Sequence, residues 1–258
     1  MKIGIFDSGV GGISILMEVK RNLPSHDYVY IGDQKNIPYG DKDKDEIFLL
    51  SCRIVDFLIE KGCRFIIIAC NTITVAASSR LRDKYKDIVF VGIEPAIKFA
   101  SENSKTKNIG LLATKYTLES ENLKRLKDQF AKDINVYTSV GNGLVELVEN
   151  NTKDEIEIKK ILSICLFPFL NKDIDQLVLG CTHYPFLANE IKDILGEKIN
   201  IVNPSEAIAR RVEYLLVENK FTELGNSSLL FFTTGNLDNM KNFTKRFFEN
   251  PNISYIEI

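Results

Sequence analysis

The chain has 258 residues, 45% of them hydrophobic, with a net charge of −2 at pH 7 and a pI near 5.9. That length admits one large domain or two of ordinary size, and the balanced charge excludes a polybasic binder of nucleic acid or of membrane surfaces. No apolar run is long enough to span a bilayer, and the opening MKIGIFDSG reads as a strand and turn rather than a secretory signal.

Nine stretches read as strands: IGIF (3–6), YVYIG (28–32), FIIIA (65–69), IVFVGI (88–93), NIGLLA (108–113), INVYT (134–138), QLVLG (176–180), INIV (199–202) and SLLFFT (228–233). Helix-like segments lie between most of them, among them GISILMEVKRNL, EIFLLSCRIVDFLIEKG, TVAASSRLRDKY, LESENLKRLKDQF, EIKKILSICLFPFL and SEAIARRVEYLLVENK. Alternating strand and helix predicts an α/β fold with mainly parallel sheets.

A weak internal repeat divides the pattern. KIGIFDSG resembles NIGLLATK at 108–115, and Glu94 and Ser205 each lie 24 residues after Cys70 and Cys181 respectively. Two similar, pseudo-symmetric α/β domains are expected, 1–97 and 98–207, with the site in the cleft between them. The remaining 208–258, read as one strand and one helix, returns to the first domain, because a lone two-element tail buries too little surface.

The two cysteines carry the chemistry. FIIIACNT (65–72) and QLVLGCTH (176–183) are each an apolar run, a small residue, Cys, and then polar residues. In open α/β sheets ligands bind at the carboxyl ends of strands, which is where Cys70 and Cys181 are predicted. A Cys there is more often packing than chemistry; the matched polar tails shift that balance. Cys52, Cys63 and Cys165 lack such tails, and Cys52 and Cys165 sit in helix-like stretches, as packing. An odd count of five with no disulfide-like spacing points to reduced thiols in the cytoplasm. With two His, His26 and His183, and no CxxC or HExxH, no metal site is expected.

Other motifs line up with these thiols. FDSGVGG (6–12) follows the first strand, and its glycines and helix N-terminus suit a small anion such as a carboxylate. It is neither GxGxxG nor a Walker motif, so a nucleotide is not indicated. Asp7 or Ser8 in it also suits plain helix capping. NIPYG (36–40) is a turn able to lay backbone N–H groups along a ligand. Asn71, Thr72 and Thr182 suit a small zwitterion, and His183, two residues past Cys181, could modulate that thiol. Glu146 and Glu149 of LVELVENN share a helix face.

FDSGVGG, PYG, ACNT, a Glu ending an LVELVE stretch, and GCTHYP, in this order and spacing, resemble glutamate racemase, over Met1 to at least Glu206. The resemblance implies a cofactor-independent isomerase that interconverts L- and D-glutamate for peptidoglycan synthesis. It implies that Cys70 and Cys181 are the catalytic thiols, with Asp7 near the first and His183 near the second. It implies that Ser8, Tyr39, Gly40, Asn71, Thr72 and Thr182 hold substrate, and that Thr114 and Thr117 of LATKYT match a weaker substrate motif. Glu149 matches an acidic residue at the end of the LVE stretch, although Asn150 and Glu146 depart from the pattern around it. A homodimer is implied, with no nucleic-acid or membrane partner.

The chemistry of the residues agrees with a two-base reaction. A free thiol titrates near pH 8.5, so one Cys as thiolate removes a Cα proton while a thiol delivers one to the other face. Two alternatives stand beside it. One is a racemase or decarboxylase of a related acid on the same scaffold; a decarboxylase is expected to keep only one of the two thiols. The other is a two-lobed amino-acid-binding protein, which would exchange no α-proton.

Overall fold

Among the described residues ten strands form two wholly parallel sheets: β1 (Lys2–Asp7), β2 (Asp27–Gly32), β3 (Cys63–Ile68), β4 (Val89–Gly92), β5 (Asn108–Ala113), β6 (Asn135–Val140), β7 (Gln176–Gly180), β8 (Asn200–Val202), β9 (Leu229–Thr233) and β10 (Asn252–Tyr255). The computed structural model describes residues 1–221 and 223–258. The described chain divides into two compact units, Met1–Ile93 with Ser205–Ile258, and Glu94–Pro204. Each is an α/β unit.

In the first unit the strand order is β10-β9-β2-β1-β3-β4. Parallel strands covered on both faces read as unbroken apolar runs rather than alternating ones. Phe65, Ile66, Ile67 and Ile68 of β3 are accordingly all fully buried. Burying each such side chain contributes about 1.5–3 kcal/mol. The helix Lys44–Glu60 starts at Asp43, whose carboxylate accepts the Asp45 and Glu46 backbone N–H groups. Such a cap satisfies two donors left over at the helix start. This helix packs on Asn71–Lys84, and the helix Ile13–Asn22 packs on Ser205–Glu218.

The second unit has the order β6-β5-β7-β8. Relative to chain order this repeats the β2-β1-β3-β4 part of the first sheet. Its sheet core, with Ile109, Leu111 and Val178, is sealed by Leu123 and Leu126 from the helix Glu121–Phe130 and by Ile97 and Ala100 from the helix Ile97–Asn103. In both sheets the chain leaves the central strand in one direction and later crosses to the other side. The crevice between β1 and β3, and that between β5 and β7, are the switch points where α/β sheets hold ligands.

The C-terminal segment is richer than its sequence pattern. It adds two helices, Ser205–Glu218 and Leu237–Thr244, and two strands rather than one. β9 pairs with β2, and β10 pairs with β9 at the sheet edge. β10 escaped notice because its residues, NISY, are mostly exposed and carry no apolar run. Among the described residues no helix is long and apolar enough to cross a membrane.

Candidate active site

The two thiol segments end alike. β3 stops at Ile68 and Cys70 is the N-cap of the helix Asn71–Lys84, with extended backbone. β7 stops at Gly180, one residue before Cys181. Both thiols are therefore just past a strand's carboxyl end rather than the last residue of the strand. Each flanks the central strand of its own sheet: Phe6 is paired with Ile68, and Ala113 with Gly180. All five cysteines are buried and none is in a disulfide.

Around Cys70 the first unit gathers Asp7, Ser8, Tyr39, Asn71 and Thr72. Asp7 ends β1, is fully buried, and accepts the Gly9 backbone N–H at 2.8 Å. The Cys70 Sγ lies 3.8 Å from the Ser8 hydroxyl. The tight turn through 8–12 is held by the Tyr30 hydroxyl, which donates to the Gly9 carbonyl at 2.7 Å. Gly12 is dictated by close approach: a Cβ there would stand 2.8 Å from Asp7 Cβ and 2.9 Å from Ala69 Cβ. Thr72 is buried in the first turn of the helix that Cys70 caps. Asn71 is 3% exposed, and neither its side-chain nitrogen nor its oxygen has a hydrogen-bond partner. An amide buried without a partner costs about 1–3 kcal/mol, so this one is poised for a ligand with a donor and an acceptor.

Tyr39 and Gly40 form a single 3-10 turn, Tyr39–Asp41. The Tyr39 hydroxyl donates to Asp33 Oδ2 at 2.5 Å. Burial, followed by the charge and hydrogen bond of Asp33 and then the nearby Cys70 and Asp7, raises the phenol well above its ordinary range, so it stays neutral.

Around Cys181 the second unit builds a relay. The Sγ lies 3.6 Å from His183 Nδ1, and His183 Nε2 lies 2.6 Å from Glu149 Oε1. Glu149 ends the helix Leu144–Glu149. Burial opposes a charge on His183, but its hydrogen bonds to Cys181 and Glu149, and their attraction, prevail and raise it well above 6.5. The ring stands between the Cys181 sulfur and the Glu149 carboxylate, which together favour its protonated form. A cation at that position is the partner an anionic sulfur needs. Thr182 is buried beside it. Thr114 and Thr117 meet each other: their hydroxyls are 3.0 Å apart, and Thr114 caps the short helix Lys115–Leu118.

Two residues near the thiols were not singled out by sequence. Asp33 sits one residue past β2, just beyond Gly32, the partner of Asp7, and is 1% exposed; its signal was a carboxylate directly after the apolar run YVYIG. Tyr184, inside GCTHYP, is fully buried and donates to the Gly141 carbonyl at 3.3 Å. Burial, followed by the charges of Cys181, Cys165 and Glu146, raises its phenol. A Cβ on Gly141 would fall 2.2 Å from the Tyr184 hydroxyl, so glycine is required there. Among the described residues no three His, Cys, Asp or Glu side chains are grouped so as to hold a metal ion.

Comparison with known proteins gives a consistent result. The Asp/Glu/Hydantoin racemase family matches residues 14–212. A glutamate racemase of Clostridium perfringens is 43% identical over 217 residues, 84% of each chain. The crystal structure of glutamate racemase isoform RacE1 from Bacillus anthracis superposes with a TM-score of 0.90 at 29% identity, covering 99% of this chain and 97% of that one. That of Escherichia coli glutamate racemase, in complex with L-glutamate and an activator, UDP-MurNAc-Ala, gives 0.85 at 30% identity, covering 98% and 97%.

Proposed function

Because this chain belongs to the Asp/Glu/hydantoin racemase family and is an isomerase, we propose that it interconverts L- and D-glutamate without a cofactor, with Cys70 and Cys181 as the two bases. The observation that carries this reading is topological. Two free thiols stand at the same place, beside the strand that opens each unit's sheet, because the order β6-β5-β7-β8 repeats the β2-β1-β3-β4 part of the first sheet. The relatives named glutamate racemase, one with L-glutamate bound, supply the substrate.

In this mechanism one cysteine, as thiolate, removes the α-proton, and the thiol of the other delivers a proton to the opposite face. The roles exchange with the direction of reaction. The His183 imidazolium, held by Glu149, supports the anionic form of Cys181. Asp7 is the acidic partner on the side of Cys70. Ser8, Tyr39, Gly40, Asn71, Thr72 and Thr182 hold the substrate, with Thr114 and Thr117 in a lesser role. The unpartnered Asn71 amide matches the α-carboxylate and α-ammonium of an amino acid, which need one donor and one acceptor. Preorganised donors of this kind and exclusion of water supply the stabilisation of the carbanion.

The same reading places the protein in the cytoplasm, supplying D-glutamate to peptidoglycan, as a homodimer whose mass sedimentation would measure. The deciding experiment is incubation with L-glutamate in D₂O without additives. Racemisation with deuterium at Cα is expected; an unchanged circular dichroism signal and no deuterium uptake would refute the assignment.

A further inference from the structure

We infer that Thr234, from the C-terminal segment, is a positioning residue for the racemisation site: it fixes the Asp33 carboxylate, which in turn fixes Tyr39. The inference rests on the reading that the Tyr39–Gly40 turn holds substrate.

The observation behind it is a carboxylate buried with its hydrogen-bonding directions filled. Thr234 Oγ1 donates to Asp33 Oδ1 at 2.6 Å. The Tyr39 hydroxyl donates to Oδ2 at 2.5 Å, and the Asn36 side-chain nitrogen lies 3.0 Å from each oxygen. Asp33 is tied to Asp7 as well, since its backbone N–H donates to the Asp7 carbonyl at 3.0 Å. The node thus joins the acidic residue at the end of β1, the substrate turn, and a residue some 200 positions later in the chain.

The segment at 233–235 is built around this node. The Thr234 hydroxyl accepts the Lys35 backbone N–H at 3.1 Å while donating to Asp33, so both of its functions are used. The Thr234 backbone N–H donates to the Gly32 carbonyl at 3.3 Å. The Thr233 hydroxyl donates to the Gln34 side-chain oxygen at 2.8 Å. A Cβ on Gly235 would stand 2.6 Å from Gln34 Cβ, so glycine is needed for this approach.

Thr234 itself is 4% exposed and its hydroxyl is committed to protein groups, so it acts through its neighbours. Removing that hydroxyl leaves a buried charge short of one donor and the Lys35 N–H without its acceptor. A buried carboxylate so deprived turns toward other donors, and the turn that carries Tyr39 loses its anchor. The consequence falls on substrate binding more than on proton transfer, because both thiols and the His183–Glu149 pair are untouched.

The test is steady-state kinetics on the full chain with Thr234→Val and Thr234→Ser. T234V should raise KM for glutamate about tenfold with kcat within about threefold of wild type, and T234S, which keeps the hydroxyl, should restore KM. In a Tyr39→Phe background, T234V should change KM less than twofold, because the link it breaks is already broken. An unchanged KM in folded T234V, a T234S variant as impaired as T234V, or additive effects in the double variant would each overturn the inference. If T234V does not fold, Thr234→Ala takes its place, and failure of both to fold makes the residue structural and refutes the inference. Wild-type protein that exchanges no α-proton refutes the functional reading, and this inference with it; wild-type racemisation beside an indifferent T234V refutes this inference alone.

Discussion

His183 Nε2 and Glu149 Oε1 stand 2.6 Å apart, joining the residue after Thr182 to the end of a helix 34 positions earlier. The pair is nearly water-free, with side-chain exposures of 2% and 11%. It therefore does two things. It clamps the helix Leu144–Glu149 to the segment just past β7, and it aims the His183 ring at Cys181.

That pairing has a pH signature. The folded-state value of His183 is raised above its unfolded value near 6.5, so its stabilisation is fully present below about pH 6.5 and is lost as pH rises through the folded value. Thermal unfolding of wild type should therefore weaken on the alkaline side. Glu149→Gln should lose about 1–3 kcal/mol near neutral pH and show a smaller alkaline decline. Equal pH slopes for the two proteins above about pH 6.5 would contradict the pairing.

Replacing either proposed base should stop turnover. Cys70→Ser and Cys181→Ser are each expected to lower the racemisation rate by at least about 100-fold, since a hydroxyl is far too weak an acid to form the base near neutral pH. Both should keep wild-type far-UV circular dichroism. A β-substituted glutamate analogue reads each further: elimination of HX needs one base, so the two variants should prefer opposite enantiomers. Near-wild-type racemisation by either variant would return that cysteine to a packing role.

The five thiols should separate by reactivity. Burial pushes Cys63 up to about 12 and also raises Cys165. At pH 8 a thiol titrating near 12 is about one part in 10,000 thiolate, the form that reacts. Iodoacetamide followed by peptide mass spectrometry should label Cys70 and Cys181 before Cys63, and glutamate should protect the first two. Early labelling of Cys63 in folded protein would show that its burial is wrong.

Gly12→Ala tests the turn beneath Asp7. The added Cβ meets two other Cβ atoms at 2.8 and 2.9 Å, neither of which is the end of a flexible side chain. Overpacking of this sort costs about 1–3 kcal/mol, and it moves Asp7. The melting temperature should fall and racemisation should fall with it. A fully active, equally stable variant would mean that the turn has slack.

Much of this protein was legible in order along the chain. Apolar runs such as FIIIA and QLVLG, alternating with helical periodicity, determine a parallel α/β fold, because strands buried on both faces cannot be written otherwise. The polar residues that follow each run mark the carboxyl ends of the strands, where open α/β sheets bind ligands. Cys70 and Cys181 could therefore be named as candidates from local pattern, with Asp7 and His183 joined to them by the family resemblance.

What tertiary structure decided is which distant residues meet. Nothing in LVELVENN distinguishes a solvated Glu149 from one bonded to His183; the packing of its helix against the turn Tyr184–Leu187 settles that. Asp33 reads as an ordinary turn carboxylate until β9 pairs with β2 and delivers Thr234 to it. β10 carried no signal because a mostly exposed edge strand has no apolar run to announce it. Local periodicity reports which face of an element is buried, and it is silent on the partner that buries it. Hydrogen bonds between residues 34 or 201 positions apart exist only once the sheets have chosen their strand order.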